Sequence, residues 1–444
     1  MTDQRTEGQP AAVAITPKQA GEVRARWAWT EPSVWTERML TALEEGVKGG
    51  KWFSLMDKIY ALRTLWTGFQ QVKANGGAAG VDHQTVEDFE RDLMQNLQRL
   101  SEQLRTGSYR PQAVRRVWIP KPGSREERPL GVPTVRDRVV QAAMRLVLEP
   151  IFERDFAEQS YGFRPNRGCK DALRRVDSLL KQGYTWIVDA DLKSYFDTIP
   201  HQPLRERVAE KVSDGRVLDL VEAFLNQQVL DGMKSWTPEG GTPQGAVLSP
   251  LLSNLYLNPL DHQMEQAGVE MVRYADDFVL LCRSREEAEQ ALERVREWNA
   301  TAGLTLHPVK TRIVDAQKER FDFLGYRFDR GRKWPREKSR KKFRDTIRAK
   351  TRRSNGQSLK VIIEDLNRTL KGWFEYFKHS DKLTFPSEDG WMRGRLRNLL
   401  RQRQGQKGRA CGVDHQRWPN TFFREQGLFS LSAAHATACQ SLRG

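Results

Sequence analysis

The chain has little of what oxidised, metal-stapled or membrane-embedded proteins depend on. Among 444 residues there are four cysteines, Cys169, Cys282, Cys411 and Cys439, and no Cys-x-x-Cys pair. That scarcity excludes a disulfide scaffold and suits a reduced, cytoplasmic setting. Cys411, His415 and Cys439 lack the fourth ligand and the close pairing of a structural zinc site. No apolar run is long enough to span a bilayer, and the start carries no basic, apolar, small-residue signal pattern. A membrane partner is therefore not expected. No internal repeat is visible.

Positive charge, by contrast, is abundant. The 73 Lys+Arg outnumber the 57 Asp+Glu, a net +16, which points to a polyanionic partner. Residues 331–410 hold 24 Lys+Arg and 8 Asp+Glu, and the remainder holds 49 of each, so the whole excess lies in one segment. A solvated helical face also carries charge, but segregation of this degree favours nucleic-acid contact.

The acids are more informative than the cations. Tyr274-Ala-Asp-Asp277 lies between two apolar runs, 269–274 and 278–282, and reads as a β-hairpin with carboxylates at its tip. Adjacent charges there are costly unless a cation joins them, and a divalent metal suits oxygen donors. A solvated turn is the plainer reading of that motif alone. A second acidic strand, Tyr184-Thr-Trp-Ile-Val-Asp-Ala-Asp191, weighs against it. One acid from a strand end and two from a neighbouring hairpin suit two Mg²⁺ ions, with Mn²⁺ as a substitute. One ion would activate a 3′-hydroxyl and the other would hold a triphosphate. Asp189 alternates with Asp191 and shares its face, so it is an alternative ligand, as is Asp197.

An ordered series of blocks resembles the reverse transcriptases encoded by group II introns, also called maturases. The series runs from Gly80-Val-Asp-His-Gln-Thr85 through Val117-Trp-Ile-Pro-Lys-Pro-Gly123, Arg128-Pro-Leu-Gly-Val-Pro-Thr134 and Ser160-Tyr-Gly-Phe-Arg-Pro165 to the Asp191 strand. It continues with Gly241-Thr-Pro-Gln-Gly-Ala-Val-Leu-Ser-Pro250, Tyr274-Ala-Asp-Asp277, Gly303-Leu-Thr-Leu-His-Pro-Val-Lys310 and Phe321-Asp-Phe-Leu-Gly-Tyr326. The resemblance covers about Gly80 to Arg403.

It implies an α+β right-hand polymerase: fingers, an antiparallel-sheet palm and an all-helical thumb, or maturase domain. The expected boundaries are a flexible arm over 1–34, N-terminal extension and fingers over 35–183, palm over 184–330, basic thumb over 331–404 and a C-terminal appendage over 405–444. Locally, helices are expected over 35–69, 86–105 and 135–152, behind the palm over 204–212 and 286–302, and in the thumb over 340–352, 359–377 and 391–404. The thumb aromatics Trp373, Phe374, Tyr376, Phe377 and Trp391 are expected in its core.

The same resemblance assigns roles. Asp191, Asp276 and Asp277 would be catalytic metal ligands. Phe196 would pack against the incoming sugar and exclude a 2′-hydroxyl, favouring DNA synthesis. Lys121 and Arg128 would clamp the triphosphate, Gln244 would line the nucleotide and template pocket, and Lys310 would protonate departing pyrophosphate. The charge excess of residues 331–410, rather than the resemblance, makes Lys341, Lys342 and Arg344 the expected RNA-binding cations. The hairpin over 321–326 would grip the primer. The implied partners are intron RNA, an RNA template with a DNA primer, target DNA and deoxynucleoside triphosphates. The implied setting is cytoplasmic and ribonucleoprotein-associated, as in bacteria. No His-Asn-His nuclease signature follows the thumb, which resembles the endonuclease-lacking type. Two other readings stay open: a reverse transcriptase of a defence, CRISPR or diversity-generating system, and an RNA-binding splicing factor with a decayed polymerase site. The sequence does not specify the cognate intron, the target site or the oligomeric state.

Overall fold

The structure, a computed structural model, describes residues 17–120, 127–352 and 354–440. Its strands are β1 (Val114–Pro120), β2 (Glu127–Val132), β3 (Trp186–Asp191), β4 (Val229–Asp231), β5 (Lys234–Trp236), β6 (Glu270–Tyr274), β7 (Asp277–Cys282), β8 (Arg312–Asp315), β9 (Arg320–Phe323), β10 (Tyr326–Asp329) and β11 (Arg332–Pro335). They form three sheets among long helices, the expected α+β class.

The palm sheet has the order β6-β7-β3-β8, with every pairing antiparallel. Alternation sorts its side chains onto two faces. Val188, Ala190, Phe278 and Leu280 join the main core with the helices Ser249–Gln266 and Arg285–Thr301. Ile187, Val279 and Leu281 join a second core with the helix Cys169–Lys181 and the hairpin β9–β10. With both faces covered, the sheet is rigid up to the edge where β3 ends and β7 begins.

The fingers sheet has the order β2-β1-β4-β5, with β1 and β4 parallel. Pro120 pairs with Glu127, so β1 and β2 form the expected hairpin. Its tip, including Lys121, lies outside the described residues. The expected helix over 35–69 is instead several pieces, Glu37–Glu45, Met56–Tyr60 and Leu62–Asn75, because Gly46, Gly49 and Gly50 take positive φ between them. The helix expected over 86–105 breaks at Asp92, giving Val86–Arg91 and Leu93–Thr106.

Residues 17–34, expected within a flexible arm, are structured. Pro17–Arg26 is helical, Trp27 is buried with its indole donating to Glu44 Oε1 at 2.6 Å, and Trp35 is fully buried and donates to Leu146 O at 2.9 Å. Residues 1–16 lie outside the described residues.

In the thumb, Glu337–Lys350, Leu359–Phe377 and Thr384–Arg403 pack around Phe343, Leu366, Leu370, Phe374, Phe385 and Leu396. Of the aromatics expected in its core, Phe374 is buried there, Phe377 is buried in the second palm core, and Trp373, Tyr376 and Trp391 are half-buried against these cores. Beyond residue 404, in the stretch expected as a C-terminal appendage, Trp418, Phe423, Leu428 and Leu431 are buried in the thumb core. Each fully buried side chain of that size stabilises by about 1.5–3 kcal/mol, enough in sum to tie this segment to the thumb. The thumb docks on the palm through the turn Leu324-Gly325, where both residues take positive φ, the geometry of a tight two-residue hairpin. Tyr326 Oη donates to Tyr376 O at 2.5 Å, and Tyr376 Oη donates to Leu324 O at 2.6 Å. Among the described residues no helix is long and apolar enough to cross a membrane.

Candidate active site

The register of the palm sheet brings the acids together. Asp191 is the direct partner of Asp277 across β3 and β7, and Tyr274 is the partner of Asp277 across β6 and β7. Ala275 and Asp276 are therefore the two residues of the connecting turn. Ala275 has φ +59, a conformation that glycine adopts more cheaply. The turn keeps an alanine there because its surroundings hold it.

The holder is Arg273, which is fully buried. Its guanidinium donates to both carboxylate oxygens of the equally buried Asp261, at 2.7 and 2.5 Å. It also donates to Asn254 Oδ1 at 2.9 Å, to Ser160 Oγ at 2.8 Å and to the Ala275 carbonyl at 2.9 Å. A buried ion pair of this kind adds little net stability over an apolar replacement, but a guanidinium with every partner in place fixes geometry. From the other side Gly162 packs so tightly that an added Cβ would lie 2.2 Å from the Ala275 nitrogen. Sequence reasoning missed Arg273, Asp261, Asn254 and Gly162. An arginine inside an apolar strand beside two acids was the available signal.

The electrostatics at this edge are unbalanced. Burial pushes the Asp277 carboxyl up to about 7, helped by the negative charges of Asp189, Asp276 and Asp191. Burial also raises Asp276, against a lowering by its own backbone N–H. Asp189 is raised by burial and partly restored by Arg312, whose Nε lies 3.4 Å from Asp189 Oδ2. Asp189 thus joins the cluster, as its alternation with Asp191 predicts. Lys310 Nζ sits 2.6 Å from Asp191 Oδ2. Its loop is tied to the end of β3 by the His307 N–H donating to Asp191 O at 2.7 Å.

Four carboxylates with two exposed cations beside them suit a hard divalent ion. Among the described residues, no three His, Cys, Asp or Glu side chains already close around one point as ligands do. The physical reason is visible at Asp191, whose carboxylate is engaged by Lys310. A metal would have to displace that ammonium.

Residues 119–328 match the reverse transcriptase (RNA-dependent DNA polymerase) family, and residues 340–418 match the group II intron maturase-specific domain. Protein YkfC of Escherichia coli is 33% identical over 355 residues, 69% of this chain and 87% of that protein. The chain belongs to the group II intron reverse transcriptase and maturase family. The group II intron-encoded protein LtrA of Lactococcus lactis is 37% identical over 224 residues, 50% of this chain. The match spans 37% of LtrA's own length. An uncharacterized 91 kDa protein in the cob intron of Schizosaccharomyces pombe is 28% identical over 318 residues, 58% of this chain and 39% of that one. RNA-directed DNA polymerisation is the activity of the reverse transcriptase family.

In this reverse transcriptase a cavity of about 510 Å³ opens between the fingers sheet and the segment after β3, lined by Arg116, Phe196, Asp197, Trp236, Thr242 and Gln244. Phe196 is its apolar wall, and its ring packs edge-on against Tyr195 at 5.5 Å. Gly241, at φ +90, lets the loop approach: a Cβ there would meet the Phe196 carbonyl at 2.6 Å. Gln244 links palm and fingers. Its Oε1 accepts from Arg128 Nε at 2.8 Å, and its Nε2 donates to Asp197 Oδ2 at 3.3 Å. Asp197 is thus hydrogen-bonded and away from the metal-type cluster; burial raises its carboxyl.

In the maturase region Arg344 is half-buried and ion-paired. It and Arg340 clamp the fully buried Glu388, with Arg344 Nε at 2.9 Å and Arg340 Nε at 2.5 Å from its carboxylate. Arg344 also lies over the Trp391 ring at 5.2 Å. Helical spacing places it on the inner side of Glu337–Lys350, whereas Lys341 and Lys342 are exposed.

Proposed function

We propose that this chain copies RNA into DNA by the two-metal route at the end of β3 and β7, and that its maturase region binds intron RNA. The observation that carries the first part is the register pair Asp191–Asp277, with Asp276 one residue away in a turn locked by Arg273. Asp191, Asp276 and Asp277 would hold the ions, with Asp189 behind them. Bound Mg²⁺ would make the primer 3′-hydroxyl a better nucleophile and offset the charge of the triphosphate.

The chain's own residues supply the rest. Arg128 and Lys121 would draw the triphosphate to the fingers, and Gln244 would carry that position to the palm through Asp197. Phe196 would set the wall beside C2′ of the sugar. Lys310, next to Asp191, would pass a proton to the departing pyrophosphate once a cation frees it. The second part rests on the maturase-specific match and on the cations of residues 331–410. Splicing assistance, and copying of the intron at a DNA target, would follow from RNA binding and polymerisation on one chain in a cytoplasmic ribonucleoprotein.

The test is primer extension on an RNA template with deoxynucleoside triphosphates and Mg²⁺, beside a self-splicing assay with a group II intron RNA. Metal-dependent extension is expected, as is faster splicing. Absence of extension with intact RNA binding would favour the splicing-factor reading.

A further inference from the structure

Phe163 stands where physics argues against a phenylalanine. Its backbone has φ +58, a left-handed conformation that glycine or asparagine takes at lower cost than an aromatic residue. Strain of this kind is usually offset by burial, yet Phe163 is 45% exposed and belongs to none of the apolar cores. Both flanks are fixed. Gly162 is wedged against Ala275, and its carbonyl accepts from Asn254 Nδ2 at 2.7 Å. Arg164 is buried, donating to Glu153 at 2.7 Å and to the Ser160 carbonyl at 2.9 Å. The backbone therefore has no freedom to relax, and the ring is pushed outward. It lies 6.3 Å from the ring of Tyr274, the residue that leads into Ala275 and Asp276.

A strained, exposed ring with immobile flanks, one residue from the glycine that sets the catalytic turn, offers a flat apolar face beside the reacting end. We infer that Phe163 is a positioning residue that packs, with Tyr274, against the sugar edge of the last base pairs of the primer–template duplex. The chemistry fits that ligand. A furanose edge is flat and uncharged, and it lies next to the 3′-hydroxyl that must reach Asp191 and Asp276. A free triphosphate would find no cation on this ring. The inference rests on the polymerase reading above.

The test uses the full chain and an RNA–DNA primer–template duplex of defined sequence. The variants are Phe163→Gly, Phe163→Ala and Phe163→Trp. Duplex Kd, KM for deoxynucleoside triphosphate and Tm are measured for each. Loss of a nucleic-acid contact by an aromatic ring predicts a duplex Kd raised about tenfold in Phe163→Gly and Phe163→Ala. KM for the triphosphate should change by less than twofold, and Phe163→Trp should restore binding. Phe163→Gly decides between roles, because glycine relieves the left-handed strain. If the ring serves the duplex, that variant keeps or raises Tm while losing affinity. If the ring only shields Tyr274, Tm falls by several degrees, and the inference is overturned. Unchanged duplex affinity in both truncations also overturns it. Wild-type extension checks the polymerase reading separately, since duplex affinity is read without turnover.

Discussion

The palm and the thumb each hold a carboxylate clamped by arginine in the interior, and they use it differently. In the palm, Arg273 and Asp261 neutralise each other completely and spend the remaining donors on a turn. The charge that stays unbalanced lies just beyond, on Asp276 and Asp277. In the thumb, Glu388 takes both Arg340 and Arg344 and ties Glu337–Lys350 to Thr384–Arg403. Two guanidiniums against one carboxylate leave that clamp one charge positive, and outward lysines add to it. One cluster stiffens a site that awaits cations, and the other stiffens a scaffold that presents them. Sequence charge alone does not separate the paired residues from the waiting ones.

The largest effect should come from removing one waiting acid. Asp276→Asn keeps the side-chain size and removes a charge that the site needs only when a cation arrives. Primer extension should fall by about 10³–10⁵-fold, the scale of key groups in phosphoryl transfer. RNA affinity should stay within twofold. Near-normal extension would sink the assignment of the turn as the metal site.

Next comes the clamp beneath it. Arg273→Met leaves Asp261 charged, buried and unpaired, which costs about 3–5 kcal/mol. The double variant Arg273→Met with Asp261→Leu should recover most of that stability, because an apolar pair often replaces a buried ion pair without loss. It should not recover activity, because the Ala275 carbonyl still lacks its donor. Denaturant melts and extension rates together check this. Recovery of both would show that the clamp is scaffold, like its thumb counterpart.

How much of this was legible beforehand follows from the kind of signal each feature leaves. Periodicity and apolar runs marked the palm strands and the helix Leu359–Phe377, and the acids identified the site. Lys310 lies against Asp191, and Phe196 and Gln244 line one cavity with Asp197. Arg273 and Asp261 were not legible: their pairing is set by packing between β6 and the helix Ser249–Gln266, and no local pattern records it. The ion pair of Arg344 was hidden for the opposite reason. A cation on a basic helix looks free in sequence, and only its helical phase toward Glu388 made it structural. The breaks after Glu45 and at Asp92 were lost because apolar spacing continues across them.

A smaller effect separates the two kinds of thumb cation. Replacing Lys341 and Lys342 with Ala should weaken intron RNA binding and reduce the slope of log K against log salt by about 1–2, with Tm nearly unchanged. Arg344→Ala should do the reverse, lowering Tm and leaving the slope alone, because its charge is spent on Glu388. Filter binding across a salt series measures the first, and a melt measures the second. Equal slopes for both variants would erase the distinction between scaffold and presenting charge.

The smallest effect tests whether the palm acids truly wait for a cation. The Asp277 carboxyl sits at about 7 in the folded chain, above its usual 3.8. Between roughly pH 4 and 7 the folded state therefore holds a proton that the unfolded state has released. The stability linked to that proton is full below about pH 4 and is lost as pH rises through 7. At pH 8 wild type carries an added negative charge among Asp189, Asp276 and Asp191, and Asp277→Asn does not. The variant should melt about 2–4 °C above wild type at pH 8. Below about pH 4, where the wild-type carboxyl is largely neutral in both the folded and the unfolded chain, the two should converge. Adding Mg²⁺ at pH 8 should raise wild type more than the variant and close the gap, because a bound cation offsets the repulsion that the variant lacks. A gap that ignores both pH and Mg²⁺ would mean that the palm acids are balanced from within, as Glu388 is in the thumb.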